Sequence, residues 1–241
     1  MCHSDDSRPP ADADSVPARS TADLRLTAAD GNTLMAFEAR AADPSGAGIV
    51  VLPDIRGLHT FYKDLAERLA GIGLEAVAID YFGRTADTDD RSEAFEFWPH
   101  VQQTTPEGVA ADVQAGVAHL RQLGVSRVYT VGFCFGGAYS WRQSADTPDL
   151  AGCIGFYGRP SLVGEATARM AAPLLMLMAG EDASIPTTDS EEVAARARAA
   201  GVEVEHVVYA GAPHSFFDRS FAEHADACAD AWARIRAFVA G

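Results

Sequence analysis

Gly132-Phe133-Cys134-Phe135-Gly136 follows directly on the run Val128-Tyr129-Thr130-Val131 and precedes a small-residue stretch, Gly137-Ala138-Tyr139-Ser140, suited to opening a helix. Strand, G-x-C-x-G, helix is the layout of a nucleophile elbow, with cysteine in the place more often held by serine. The turn is tight, and side chains two residues either side of the nucleophile would collide with neighbouring backbone, which accounts for Gly132 and Gly136. It also sets the sulfur at a helix N-terminus, whose partial positive charge favours thiolate. Taken alone, the same five residues describe an inert buried thiol equally well, so the rest of the chain has to decide.

Working outward, apolar runs alternate with helical periodicity. Gly48 to Leu52 is continuously apolar, as in a strand covered on both faces. Phe61, Leu65 and Leu69 recur at helical spacing, and Gly71 and Gly73 end that helix. Leu74 to Ile79 is the next strand. Thr105 caps a helix with Pro106 at its first position and Val109, Val113, Val117 and Leu120 on one face. After the elbow come strands at Cys153–Tyr157 and Leu174–Met178. A helix over about 188–200 follows, with Thr188 and Glu191 at capping-box spacing. Val202–Tyr209 is the last strand, and a terminal helix carries Phe221, Ala225, Cys228, Trp232, Ile235 and Val239 on one stripe. Ahead of these, Leu24–Thr27 and Thr33–Ala39 flank the turn Asp30-Gly31-Asn32, a hairpin pattern. Residues 1–20 are rich in Asp, Pro, Ser and Ala without apolar periodicity and read as a flexible arm. Residues 21–241 then form one α/β domain, a mostly parallel sheet with helices on both faces, whose chemistry sits at the carboxyl ends of the strands.

Composition narrows the function classes. The 241 residues carry a formal charge of −15, which excludes a nucleic-acid surface and disfavours an anionic membrane. No apolar run approaches the roughly 18 residues of a membrane span. No signal peptide is visible, so reduced thiols and a cytoplasmic location are expected. Cys2, Cys134, Cys153 and Cys228 are too widely spaced for a metal or redox motif, and no metal or other cofactor is expected. Cys153 and Cys228 fall on core positions.

A cysteine nucleophile needs a base, and the base needs an orienting group. Ala179-Gly180-Glu181-Asp182 follows one strand, and Ala212-Pro213-His214-Ser215-Phe216 follows the last. Nucleophile, acid and histidine in that chain order, the latter two just past strand ends, match the order of the α/β-hydrolase triad. Asp182 is also a natural turn residue before Pro186, and Glu181 is an alternative acid.

Four ordered stretches then resemble the dienelactone hydrolase (carboxymethylenebutenolidase-like) family of the α/β-hydrolase fold. They are Leu52-Pro53-Asp54-Ile55-Arg56-Gly57, Gly132 to Gly137, Gly180-Glu181-Asp182-Ala183-Ser184-Ile185-Pro186 and Pro213-His214-Ser215-Phe216-Phe217. The resemblance implies Cys134 as nucleophile, His214 as base, Asp182 as orienter, and the backbone N–H groups of Ile55 and Phe135 as oxyanion hole. It implies a small ester or enol-lactone substrate and, by family habit, a monomer. Asp54 stands where dienelactone-cleaving members carry a glutamate near the resting thiol; the competing reading is a helix cap. Arg91 matches a substrate-carboxylate arginine, Phe95 replaces a family tyrosine, and Arg219 lies one position beyond a second arginine site that here holds Asp218. Phe82, Phe95, Trp98, Phe135, Phe216 and Phe217 are candidates for an apolar pocket, or for core. Three readings therefore stand: a hydrolase of activated esters or enol lactones, an esterase or thioesterase for neutral activated esters with the same triad, and a non-catalytic ligand-binding member of the fold.

Overall fold

The structure is a computed structural model and describes residues 3–10 and 16–241. Its strands form one eight-stranded sheet in the order β1-β2-β4-β3-β5-β6-β7-β8. β1 (Ser20–Thr27) and β2 (Thr33–Arg40) make the expected hairpin around Gly31, which takes φ +89°, a conformation L side chains rarely adopt. β2 joins β4 (Glu75–Ile79) antiparallel. From there β3 (Ala47–Leu52), β5 (Arg127–Phe133), β6 (Gly152–Phe156), β7 (Leu174–Ala179) and β8 (Val204–Tyr209) run parallel. β3, β4, β6 and β7 are buried along their whole length, as strands of a doubly covered sheet should be, with Glu75 at the start of β4 paired to Arg40.

Two cores flank the sheet. On one face pack α1 (Thr60–Ala70), through Phe61, Leu65 and Leu69, and α6 (Ala225–Ala240), through Trp232 and Ile235. On the other pack α3 (Pro106–Gln122), α4 (Phe135–Asp146) and α5 (Thr187–Ala199). A short helix, α2 (Trp98–Val101), precedes α3. Thr105 caps α3 as expected, its hydroxyl accepting the Gly108 N–H at 3.1 Å. Cys153 and Cys228 are buried, and burial pushes their thiols up to about 12 and about 11 respectively, as befits core residues.

Some boundaries differ from expectation. α5 starts at Thr187, directly after Pro186, and no side chain caps it; the fixed φ of proline, here −57°, sets the start instead of a Thr188–Glu191 box. Phe221 lies ahead of α6 and is part-exposed, because Ala222–His224 form a separate 3₁₀ turn. The expected flexible arm also needs correction over part of its length. His3 and Ser7 are buried, Pro9 and Pro10 are covered, and the strand β1 already starts at Ser20. Met1, Cys2 and residues 11–15 lie outside the described residues. Among the described residues no helix is long and apolar enough to cross a membrane.

Candidate active site

Cys134 follows β5 directly and takes the N-cap position of α4 with φ 54° and ψ −112°. The surrounding glycines are sterically required. A Cβ on Gly132 would come within 1.9 Å of the Gly136 carbonyl oxygen, and one on Gly136 within 2.2 Å of the carbonyl oxygens of both Leu52 and Pro53. The elbow is therefore wedged between its own helix and the end of β3.

The loop after β8 brings in His214, and the loop after β7 brings in Asp182. His214 Nδ1 lies 2.5 Å from Asp182 Oδ2. The other carboxylate oxygen, Oδ1, accepts the N–H groups of Ser184 at 2.8 Å and Ile185 at 3.1 Å. Asp182 thus serves its own turn with one oxygen and faces the imidazole with the other. Glu181 instead donates its N–H to the Ala212 carbonyl at 2.9 Å and is exposed.

Burial draws the His214 pKa down. The hydrogen bond and charge of Cys134, followed by those of Asp182, outweigh burial and hold it above the ordinary 6.5. The imidazolium is thus favoured to a higher pH than in a free histidine. One consequence is measurable: in Cys134→Ala the His214 titration, followed by its ring resonances, moves to lower pH. A midpoint unchanged from wild type would show that the sulfur does not act on the ring.

Cys134 and His214 open into a cavity of about 530 Å³ with apolar walls from Ile55, Trp98, Val101, Phe135, Leu162 and Ile185. Ile55 and Phe135 line the same cavity as the sulfur. Phe135 is the first residue of α4, where backbone N–H groups have no intrahelical acceptor. Trp98 is part of the wall and 57% exposed.

The other substrate-side expectations are not met. Arg91 is 4% exposed and turned away from the cavity. Its guanidinium forks onto Asp80, with Nε and Nη2 each donating at 2.9 Å, and Nη1 donates to the carbonyls of Thr88 and Asp90. Phe95 is buried beneath it, the Arg91 guanidinium carbon lying 4.4 Å from its ring centre, and does not reach the cavity. Phe216 is fully buried between Tyr209 and Tyr157, and Phe82 and Phe217 are likewise core. Arg219 faces a different, polar cavity beside Arg8, Asp64 and Arg68.

Asp54 is fully buried, with Oδ1 accepting the Arg56 N–H at 2.8 Å and Oδ2 3.6 Å from His59 Nε2. Burial works to raise its pKa, but His59 and His3 more than offset this and hold it below the ordinary carboxylate value. His59 takes the N-cap position of α1, so Asp54 is not the cap.

Sequence reading missed Arg159 and Tyr139, both of which line the cavity. Arg159 is exposed, and its side chain has no hydrogen-bond or ion-pair partner among the described residues. Its signal was its place just past β6, at the carboxyl end of the sheet where ligands gather.

The parallel sheet with its reversed edge hairpin, and a strand-to-helix elbow facing a histidine–carboxylate pair, define an α/β-hydrolase fold. The chain belongs to the dienelactone hydrolase family, whose model matches residues 35–240. It is 31% identical over 204 residues to a Methylorubrum extorquens protein named "Putative carboxymethylenebutenolidase", covering 78% of this chain and 69% of the relative. A protein of the same name from Escherichia coli is 29% identical over 220 residues, covering 85% of this chain and 81% of the relative. Among solved structures, a "Putative Dienelactone Hydrolase" from Klebsiella pneumoniae superposes with a TM-score of 0.79 at 28% identity, over 92% of this chain and 99% of that one. The chain is accordingly a carboxylic ester hydrolase of this family.

Proposed function

We propose that the chain hydrolyses activated carboxylic esters and enol lactones through Cys134, His214 and Asp182, by way of an acyl-thioester. The observation that carries this reading is the 2.5 Å contact of His214 Nδ1 with Asp182, on an imidazole that shares its cavity with the elbow sulfur. The Cys134 thiolate attacks the carbonyl carbon, forming a C–S bond while the carbonyl electron pair moves to oxygen. The N–H groups of Ile55 and Phe135 hold that oxyanion. The oxyanion re-forms the carbonyl and expels the leaving oxygen, which takes the proton from the His214 imidazolium. Neutral His214 then removes a proton from water, whose attack on the thioester releases the acid and returns Cys134. Asp182 fixes the ring with Nε2 free for both transfers.

Leaving-group chemistry narrows the substrate. A thiol has a reference pKa of about 8.5, far below that of an alkanol, so an alkyl ester's tetrahedral intermediate returns the thiolate rather than the alkoxide. Enol, aryl and thioester leaving groups compete. With Arg91 and Arg219 both outside the cavity, the arginine available to an anionic substrate at this wall is Arg159. The neutral-ester reading draws on the same two displacements and on the mainly apolar wall.

One comparison tests both points. p-Nitrophenyl acetate should turn over on the order of 10³-fold faster than ethyl acetate, about 4 kcal/mol of barrier. Equal rates would sink the thiolate mechanism. Arg159→Gln should lower kcat/KM for an anionic dienelactone about 10-fold or more, the scale of a charge-assisted hydrogen bond, and leave p-nitrophenyl acetate unchanged. If dienelactone turnover is indifferent to Arg159, the neutral-ester reading replaces the anionic one.

A further inference from the structure

His3, in the segment ahead of β1, sits between the Tyr157 hydroxyl and the Asp218 carboxylate, on the far side of Tyr157 from His214. His3 is 1% exposed, with its ring stacked on Phe61 at 3.7 Å. Burial lowers its pKa against the pull of Asp218 and Asp54, which favours the neutral ring with one N–H. Its Nε2 lies 3.2 Å from the Tyr157 hydroxyl, and its Nδ1 lies 3.8 Å from Asp218 Oδ2. The tautomer that suits both neighbours has Nδ1–H toward the carboxylate and Nε2 accepting from Tyr157.

Two routes lead from this segment to His214. The first is the Tyr157 ring. Tyr157 follows β6, is fully buried with φ +35°, and its ring centre is 4.7 Å from that of His214. The imidazole therefore rests on a phenol whose far end is tethered to His3. The second is the loop that carries His214. Asp218 accepts the Arg8 N–H at 3.2 Å, and the Arg219 N–H donates to the Arg8 carbonyl at 3.0 Å. Burial opposes ionisation of Asp218, but the neighbouring His3 and Ser7 side chains and the N–H groups of Ser220 and Arg8 hold it well below the ordinary carboxylate range, and three of these four residues belong to the segment.

The segment also grips the other loops of the site. Arg56, next to Ile55, donates to the His3 carbonyl at 2.6 Å, pairs with Asp5, and donates to the Arg91 carbonyl at 2.9 Å. The Asp5 N–H donates to Glu93 at 3.0 Å, on the loop that leads to Trp98. Residues 3–8 thus act as a strap across the loops that hold the oxyanion residue, the base and the cavity wall.

We infer that His3 is a positioning residue, which through Tyr157 fixes the surface on which the His214 imidazole rests, and that full hydrolytic competence requires this strap to be docked. The inference rests on the proposed role of His214 as base.

The test uses the full chain with p-nitrophenyl acetate. His3→Ala should lower kcat about 10-fold, within the range that small misplacements of a reacting group produce, and leave KM nearly unchanged. Tyr157→Phe should cause a similar loss, and the double variant should be no worse than either single one, because both remove one interaction. His3→Gln, whose side-chain amide can meet the hydroxyl, should recover most of the rate. Unaltered kcat in His3→Ala, or additive losses in the double variant, would overturn the inference. If the wild type hydrolyses no ester, the functional reading fails by itself. The ring resonances of His214 then decide the present point: a changed shift and titration in His3→Ala supports positioning, and identical spectra overturn it.

Discussion

Cys134→Ala should lose at least about 10⁴-fold in hydrolysis of p-nitrophenyl acetate, the scale seen when the nucleophile of such a unit is removed. The loss should fall on kcat, since Cys134 is one small part of a cavity whose apolar walls come from Ile55, Trp98, Phe135 and their neighbours. Folding should be little affected. The alanine keeps its Cβ where the cysteine Cβ stands, and the crowding at the elbow involves Gly132 and Gly136 rather than the sulfur. A residual rate within tenfold of wild type, measured on protein with an unchanged unfolding midpoint, would remove Cys134 from the mechanism. The same variant checks the pH argument, because its His214 should titrate lower than in wild type.

The largest stability effect should come from Asp80→Ala. Asp80 is fully buried, and besides the forked pair with Arg91 it accepts the N–H groups of Leu58 at 2.9 Å and Phe82 at 2.8 Å. Removing it strands a buried guanidinium and leaves those two donors unpaired, a loss of about 3–5 kcal/mol. For a chain of this size that lowers Tm by roughly 10 °C or more. Arg91→Ala should cost less, because Asp80 keeps its backbone donors, and it should leave the preference between anionic and neutral esters untouched. Thermal or urea unfolding of both variants, with kcat/KM on both ester types, separates the two roles of Arg91. A selective loss on anionic esters in Arg91→Ala would mean that the arginine leaves Asp80 to reach the substrate.

The sheet was legible because β3, β6 and β7 are apolar without interruption and the strands are separated by helical periodicity. The elbow was legible because its glycines are dictated by backbone distances that any occupant must obey. Asp182 and His214 could be placed because they follow strands and so fall at the functional edge of the sheet. Arg91 was misread because nothing in a loop's sequence fixes where a guanidinium points; Asp80, at the end of β4, decides it. Phe216 was misread for a related reason, since an aromatic beside the catalytic-type histidine can face the cavity or the core with the same sequence. The strap escaped notice because its burial rests on His3, Arg56 and Asp218 rather than on an apolar stripe. Periodicity registers only the latter.

The left-handed backbone at Cys134 has a wider consequence. Such a conformation costs a non-glycine residue about 1–3 kcal/mol, and here it is imposed by the carbonyls at the end of β3 and by the first turn of α4. On the proposed mechanism, the reactivity of Cys134 is therefore a property of the assembled sheet and not of the pentapeptide. While the chain is incompletely folded, on its way to the native state or away from it, Cys134 has neither its helix terminus nor its imidazole and is an ordinary, sluggish cysteine. On the proposed mechanism the nucleophile is armed only in the assembled fold, so that incompletely folded or damaged molecules would carry little chemical hazard for the proteins around them.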